Sequence, residues 1–257
     1  MSSRMSLLAS TFIAAMAGFG LALPAAAEFS KPQKSEIEAI IKDYLLANPE
    51  VLRDAMNELE RRQKADEVAT REQAVKDQGA MIFNSQYQAV IGNPNGKVTL
   101  VEFFDYNCGY CKRAMDDLAK LMKADPDLRV VLKDFPVLGP GSVEAAQVAG
   151  AVRAQLKGEK YWEYHQKLLT TRGSIGKAQA LNVARDLGLD MAQLEKDLAA
   201  PAVKAGIEEV MKVADTLNLT GTPSYVVGTD VIVGAVGYDE IKGKLDNMKK
   251  CGKVACS

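Results

Sequence analysis

The amino-acid sequence predicts an α/β domain that carries a helical insertion and follows an N-terminal helical arm, and three observations predict it. Two β-branched and aromatic runs, at 97–104 and 128–135, flank a segment with apolar residues at helical spacing, the pattern of a βαβ unit. Some eighty residues of amphipathic helical pattern then separate this unit from a return to strand pattern at 224–233. Ahead of it, Ile37, Ile40, Ile41, Tyr44 and Leu45, then Val51, Leu52, Ala55, Met56 and Leu59, keep helical time.

In the arm, Asn48-Pro49-Glu50 supplies a cap residue, a proline suited to a first helical turn and an acid, so a second helix starts there. Residues 60–78 differ in character, with Glu60/Lys64, Glu67/Arg71 and Glu72/Lys76 at i,i+4 and few bulky apolar residues. A helix polar nearly all round bridges two bodies, at roughly 30 Å for about 20 residues, or lies solvated against the main domain. The main domain opens near residue 81, with a first strand around 87–93 and a turn at Pro94-Asn95-Gly96. The run 97–104 suits a central strand buried on both faces, 112–123 a helix and 128–135 the next strand. Helices are expected at 142–156, 159–170, 175–187 and 191–217, an insertion spanning about 140–218. Strands at 224–227 and 231–233 and a last helix at 239–249 complete the domain.

The 257 residues are 47% apolar and 25% charged, the balance of an ordinary globular protein. A formal net charge of −1 gives no reason to expect a nucleic-acid partner or adhesion to an anionic membrane. The first residues are set aside from the fold. Arg4, the apolar run 7–23 and Pro24-Ala25-Ala26-Ala27 have the form of a signal peptide, 1–27, cut after Ala27; left uncut, the run would serve as an anchor. Either reading takes the rest of the chain out of the cytoplasm, to the periplasm once the peptide is removed.

An oxidising compartment changes the meaning of the four cysteines, which fall into the pairs Cys108/Cys111 and Cys251/Cys256. Cys108 stands where a buried strand gives way to a helix, and the free amides and dipole of that helix mouth favour a thiolate. Cys108 is therefore the expected attacker. Cys111, three residues on and one turn inside, is the resolving thiol, while Gly109 and Tyr110 tune the potential of the pair. More than a hundred residues later, Thr222-Pro223 follows a glycine and opens a strand. A cis bond there would bring the Thr222 backbone close to the sulfurs, where it can pair with an extended substrate.

The stretch Val101-Glu102-Phe103-Phe104-Asp105-Tyr106-Asn107-Cys108-Gly109-Tyr110-Cys111, the insertion, and Thr220-Gly221-Thr222-Pro223-Ser224-Tyr225 resemble the DsbA-type branch of the thioredoxin superfamily, from about Tyr87 onwards. The arm from Glu36 to Leu52 resembles the N-terminal region of the suppressor-of-copper-sensitivity protein C (ScsC-like) group. The resemblance implies a thioredoxin fold over residues 81–257, an oligomerisation arm with linker helix over 28–80, and Pro223 as a cis-proline. It implies a buried acid at Glu102 that assists proton movement, and Lys133 is a candidate to pair with it. It also implies a homotrimer formed through residues 30–60, although the apolar stripe alone fits a dimer as well.

Two classes of function follow: a disulfide isomerase or dithiol oxidase acting on cysteine-containing exported proteins, or a Cu(I)-binding copper-tolerance protein using Cys108 and Cys111. The Thr222-Pro223 loop and the arm favour the exchange enzyme, and within it the isomerase. Such chemistry requires no cofactor and no metal, and takes a membrane redox partner to reset the pair. Cys251 and Cys256 close a structural disulfide in the tail, or relay electrons as a second redox pair. His165, within an aromatic cluster, reads as packing.

Overall fold

A computed structural model describes residues 29–256, so the expected signal peptide at 1–27 lies outside the described residues. The described residues divide into two units, one ending at Glu58 and the other beginning at Leu59.

In the first unit, α1 runs from Lys31 to Ala47 and ends where Asn48 caps Tyr44, and α2 begins at Glu50. The break falls where Asn48-Pro49-Glu50 predicts it. No residue of α1 is buried: Ile37, Ile40, Ile41 and Tyr44 are all exposed, as are Val51, Leu52 and Met56 at the start of α2.

Helix α2 is continuous from Glu50 to Asp77, so the charged stretch is helical as expected. Residues 61–70 are solvated, and Glu67 pairs with Arg71 at 2.8 Å. Its final turns then dock: Ala74 and Val75 are buried, and Arg71 donates to the carbonyls of Leu217 and Asn218, capping another helix of the second unit. A short helix absent from the sequence reading, α3 (Gly79–Phe83), follows and buries Ile82.

The second unit is built on a five-stranded sheet in the order β1-β3-β2-β4-β5, with β1 Ala89–Gly92, β2 Val98–Phe104, β3 Leu128–Asp134, β4 Ser224–Val227 and β5 Asp230–Val233. Only β2 and β3 run parallel, joined through α4 (Gly109–Ala124); the other pairs are antiparallel. β2 is central and buried on both faces, as its β-branched and aromatic run predicts. Alternate residues of β2 and β3 divide the core: Leu100, Phe104, Val130 and Leu132 face α4, most of the insertion and α10 (Tyr238–Cys251), while Val101, Phe103 and Val131 face the end of α2, α3 and α9 (Pro201–Thr216), the insertion's last helix.

The insertion holds α5 (Pro140–Gln155), α6 (Gly158–Thr170), α7 (Lys177–Asp186), α8 (Met191–Leu198) and α9 (Pro201–Thr216). The single helix expected at 191–217 is therefore two. Pro201 lacks an N–H and its ring collides with the carbonyl four residues back, so one helix stops before it and the next begins on it. His165 is buried as packing, stacked on Trp162 with ring centroids 5.4 Å apart and edge-on to Phe104 at 4.5 Å, and burial lowers its pKa to about 3.

Asp134 at the end of β3 and Arg153 of α5 form a buried ion pair that fastens the insertion to the sheet. Replacing Arg153 with methionine leaves the carboxylate buried without its cation and is expected to cost about 3–5 kcal/mol, read as a lower urea midpoint at unchanged m-value.

Candidate functional site

Strand β2 delivers the site. Where it ends, Asp105 turns the chain. Its buried carboxylate accepts the Asn107 N–H at 2.8 Å, the Ser142 hydroxyl at 2.7 Å, and the N–H groups of Val137 and Leu138 at 2.9 and 3.0 Å. Both oxygens are thus satisfied, and one side chain gathers the loop before Cys108, the loop after β3 and the start of α5. Asn107 extends the junction: its amide donates to the Ile175 carbonyl at 2.9 Å and to Ser142 at 3.0 Å, and accepts the Ile175 N–H at 2.8 Å. Gly141 lets this approach happen, since a Cβ there would lie 2.7 Å from the Ile175 oxygen.

Cys108 then caps α4. Its extended backbone (φ −78°, ψ 115°) turns Sγ onto the helix mouth, where it accepts the Cys111 N–H at 3.4 Å. The sulfur of an N-cap cysteine takes the place of the usual capping oxygen, in the positive field of the first turn. The Cys108 thiol also donates to the Thr222 carbonyl at 3.1 Å, across 114 residues of sequence. The Thr222-Pro223 bond is cis, as expected, and the loop is held on both sides by Gly234 N–H to Pro223 O at 2.9 Å and Ser224 Oγ to Gly221 O at 2.7 Å. Both cysteines are free thiols, with Cys111 the more deeply buried at 1% exposure against 5%.

Glu102 lies two residues before the end of β2, on the face that carries Leu100 and Phe104. It stands opposite Tyr225 in the antiparallel register with β4. Burial raises its pKa to about 8 although the neighbouring phenol works to lower it. Cys111 is pushed well above the ordinary thiol range, first by burial and then by the negative charge of Glu102, so the two groups share one electrostatic environment.

Lys133 is elsewhere. In the parallel register Glu102 lies beside Leu132 and Lys133 lies beside Phe103, so strand alternation sends the lysine to the opposite face of the sheet. There it donates to the Met81 carbonyl of α3 and lies 3.9 Å from Glu209 of α9, with burial lowering its pKa to about 8. The expected Glu102–Lys133 pair does not form. Gly109 and Tyr110 occupy the first turn of α4; Tyr110 is 61% exposed and a Cβ on Gly109 would meet only the tip of Arg113.

Cys251 and Cys256 are joined in a disulfide at the end of α10, with Cα atoms 6.1 Å apart. The small ring is closed further by Asn247 Nδ2 to Val254 O at 2.9 Å. Among the described residues no cluster of three or more His, Cys, Asp or Glu side chains is placed to hold a metal ion, and no helix is long and apolar enough to cross a membrane.

Asp105, Asn107, Ser142 and Tyr225 have no assigned role in the sequence reading. The Asp-x-Asn spacing ahead of a helix cap is the local signal for the first two, because an aspartate that accepts the N–H two residues on forms an Asx turn.

A carboxyl that is protonated in the native state between its unfolded pKa near 4.5 and its folded pKa near 8 makes the protein lose stability as pH rises through that window. Glu102→Gln removes this penalty. The variant is expected to gain on the natural sequence from pH 4.5 to 8 and to level off above, by on the order of 5 kcal/mol in all; urea unfolding at several pH values measures it.

Residues 99–246 match the family described as DSBA-like thioredoxin domain, and residues 33–66 match the copper resistance protein ScsC N-terminal domain. A solved thioredoxin-like oxidoreductase from Silicibacter pomeroyi DSS-3 is 41% identical, covering 67% of this chain and 98% of that one with a TM-score of 0.63. Proteus mirabilis ScsC in a transitional conformation is 28% identical over 83% of this chain and 94% of its own, with a TM-score of 0.60. Over 140 residues the sequence is 31% identical to the Na(+)/H(+) antiporter NhaA 1 of Salinispora arenicola, a match to 54% of this chain and 21% of that protein. The chain therefore spans about a fifth of the length of that curated relative. With the family matched across more than half of the sequence, and a cysteine-capped helix facing a Thr-Pro loop at the end of a central strand, this chain belongs to the DsbA-like thioredoxin-domain family and carries an ScsC-type N-terminal domain ahead of its thioredoxin fold.

Proposed function

We propose that the chain is a periplasmic thiol:disulfide interchange protein that reshuffles disulfides of exported proteins through Cys108 and Cys111. The observation that carries this reading is the 3.1 Å contact between Cys108 Sγ and the Thr222 carbonyl. A thiol at that spot holds the carbonyl; a thiolate releases it, and the carbonyl is then free to accept an N–H from an extended substrate laid beside Pro223.

In the exchange, Cys108 thiolate attacks one sulfur of a substrate disulfide, forming a mixed disulfide and expelling the other sulfur as a thiolate. That thiolate can attack another disulfide of the substrate, and the sulfur freed there attacks the mixed disulfide and releases Cys108 as a thiolate with no net oxidation, which is isomerisation. Alternatively, Cys111 attacks Cys108, releasing a reduced substrate and leaving a Cys108–Cys111 disulfide for a membrane partner to reset. Run backwards, the same steps oxidise a substrate dithiol. Cys111 must first lose its proton. Glu102, with a pKa of about 8, is matched to carry it near neutral pH.

The arm supports the isomerase over the oxidase. Its exposed stripe of Ile37, Ile40, Ile41, Tyr44, Leu52 and Met56 is larger than an isolated helical pair keeps in water, and a second and third copy would cover it. Several sites held around one cavity can grip a misfolded chain. A second reading, Cu(I) held by the same two sulfurs, is favoured by the copper-resistance name of the family matching residues 33–66.

Cys111→Ala is expected to accumulate mixed disulfides between Cys108 and exported proteins, visible as bands lost on reduction; their absence sinks the exchange reading. Light scattering should show the mature chain as an oligomer and a form lacking residues 30–60 as a monomer, with rescue of a scrambled disulfide protein falling at least several-fold while dithiol oxidation persists. A monomer in both forms removes the case for the isomerase.

A further inference from the structure

The exchange chemistry leaves one charged group beside the cysteines without a task. Arg113 lies on the exposed side of α4, five residues after Cys108, and folds back over the motif. Its guanidinium carbon is 4.4 Å from the centre of the Tyr110 ring, and a Cβ built on Gly109 would lie 3.9 Å from its Nη1. The cation thus covers the Gly109-Tyr110 dipeptide between the two sulfurs, held there by the face of an exposed ring.

It has company. Lys112 Nζ reaches the Thr171 carbonyl at 3.3 Å, which brings the insertion loop alongside the first turn of α4, and Asn107 ties Ile175 of the same loop to the residue before Cys108. Arg172 sits between those two tethers. Among the described residues no carboxylate forms an ion pair within 4.0 Å of Lys112, Arg113 or Arg172. The nearest acids along α4 are Asp116, which lies outside that distance from Arg113, and Asp117, which pairs with Lys120 at 3.4 Å. Lys112 and Arg113 thus stand in the first turns of α4 free of acidic partners, and Arg172 follows the residue that Lys112 reaches.

We propose that Arg113 is a specificity-determining residue that selects polypeptide segments with a carboxylate close to their reactive cysteine. The inference rests on the exchange reading and names the class of substrate that the site prefers. The physical argument is complementarity. A guanidinium already parked on Tyr110 gives up little freedom when a carboxylate arrives, and it presents a planar pair of N–H groups to it. An exposed cation acts over a Debye length of about 8–10 Å, so Arg113 raises the encounter rate of acidic segments and lowers that of basic ones. Salt weakens such steering.

The test uses the full mature chain with Cys108 and Cys111 oxidised, and three reduced peptides identical except for Glu, Gln or Lys on either side of one cysteine. Each exchange rate is divided by the rate of the same peptide with a small neutral disulfide, which removes the effect of the neighbour on the thiol itself. The expected result is a Glu-to-Lys rate ratio of about 3–10 at low salt, falling towards one at 500 mM salt, and reduced at low salt by Arg113→Gln. Arg113→Glu should invert it. Equal ratios for the natural protein and Arg113→Gln overturn this inference while leaving exchange intact. Absence of exchange with all three peptides overturns the functional reading, and this inference with it.

Discussion

A carboxylate buried beneath a protein surface must have its lone pairs filled, and Asp105 is where the second unit meets that demand. Its donors come from the loop before Cys108, the loop after β3 and the first turn of α5. Removing water from this group obliges three separate segments to converge on it. The cap position of Cys108, and the seat of the insertion against it through Asn107 and Ile175, follow from that convergence. The other half of the site is delivered independently, by the antiparallel pairing of β4 with β2 that brings Thr222 over the sulfur.

Much of this architecture was legible because it rests on local chemistry. The β-branched and aromatic run at 98–104 suits a strand buried on both faces, and the cysteine at its exit stands at the mouth of the helix that follows. The cis bond at Pro223 is where the family resemblance implies it, and of the two readings for Cys251 and Cys256 the tail disulfide is the one formed. What escaped reading depends on register and on partners far along the chain. Glu102 and Lys133 belong to adjacent parallel strands, and an offset of one residue in the pairing sends them to opposite faces. Nothing within either strand reveals that offset. The hub at Asp105 escaped reading because three of its four donors are main-chain groups, which carry no residue identity. The division at Pro201 had its signal in plain view, a proline amid a helical pattern, outweighed by the apolar periodicity on both sides.

The two units stabilise themselves differently. The second fills both faces of its sheet, with Tyr106, Tyr161, Tyr164, Phe103 and Phe104 among its largest buried side chains. The first buries no residue of α1, and its conformation is set by its ends: Ser30 donates its N–H and hydroxyl to the Gln33 side-chain oxygen at one, and Asn48 donates to the Tyr44 carbonyl at the other. Capping and propensity hold a short helix only marginally in water, so the free energy that secures this segment must come from surface the first unit does not cover by itself. An assembly of copies supplies it under the proposed function.

Gly109 carries a different consequence. Open space surrounds the position apart from the tip of one flexible side chain, and its backbone already belongs to a regular helix. Alanine, proline or a larger residue would therefore be accommodated without rebuilding the strand, the cap or the loop opposite. A change confined to this position would leave the Cys108 cap and its contact with Thr222 in place, so the character of the thiol pair can be altered there without a change of fold.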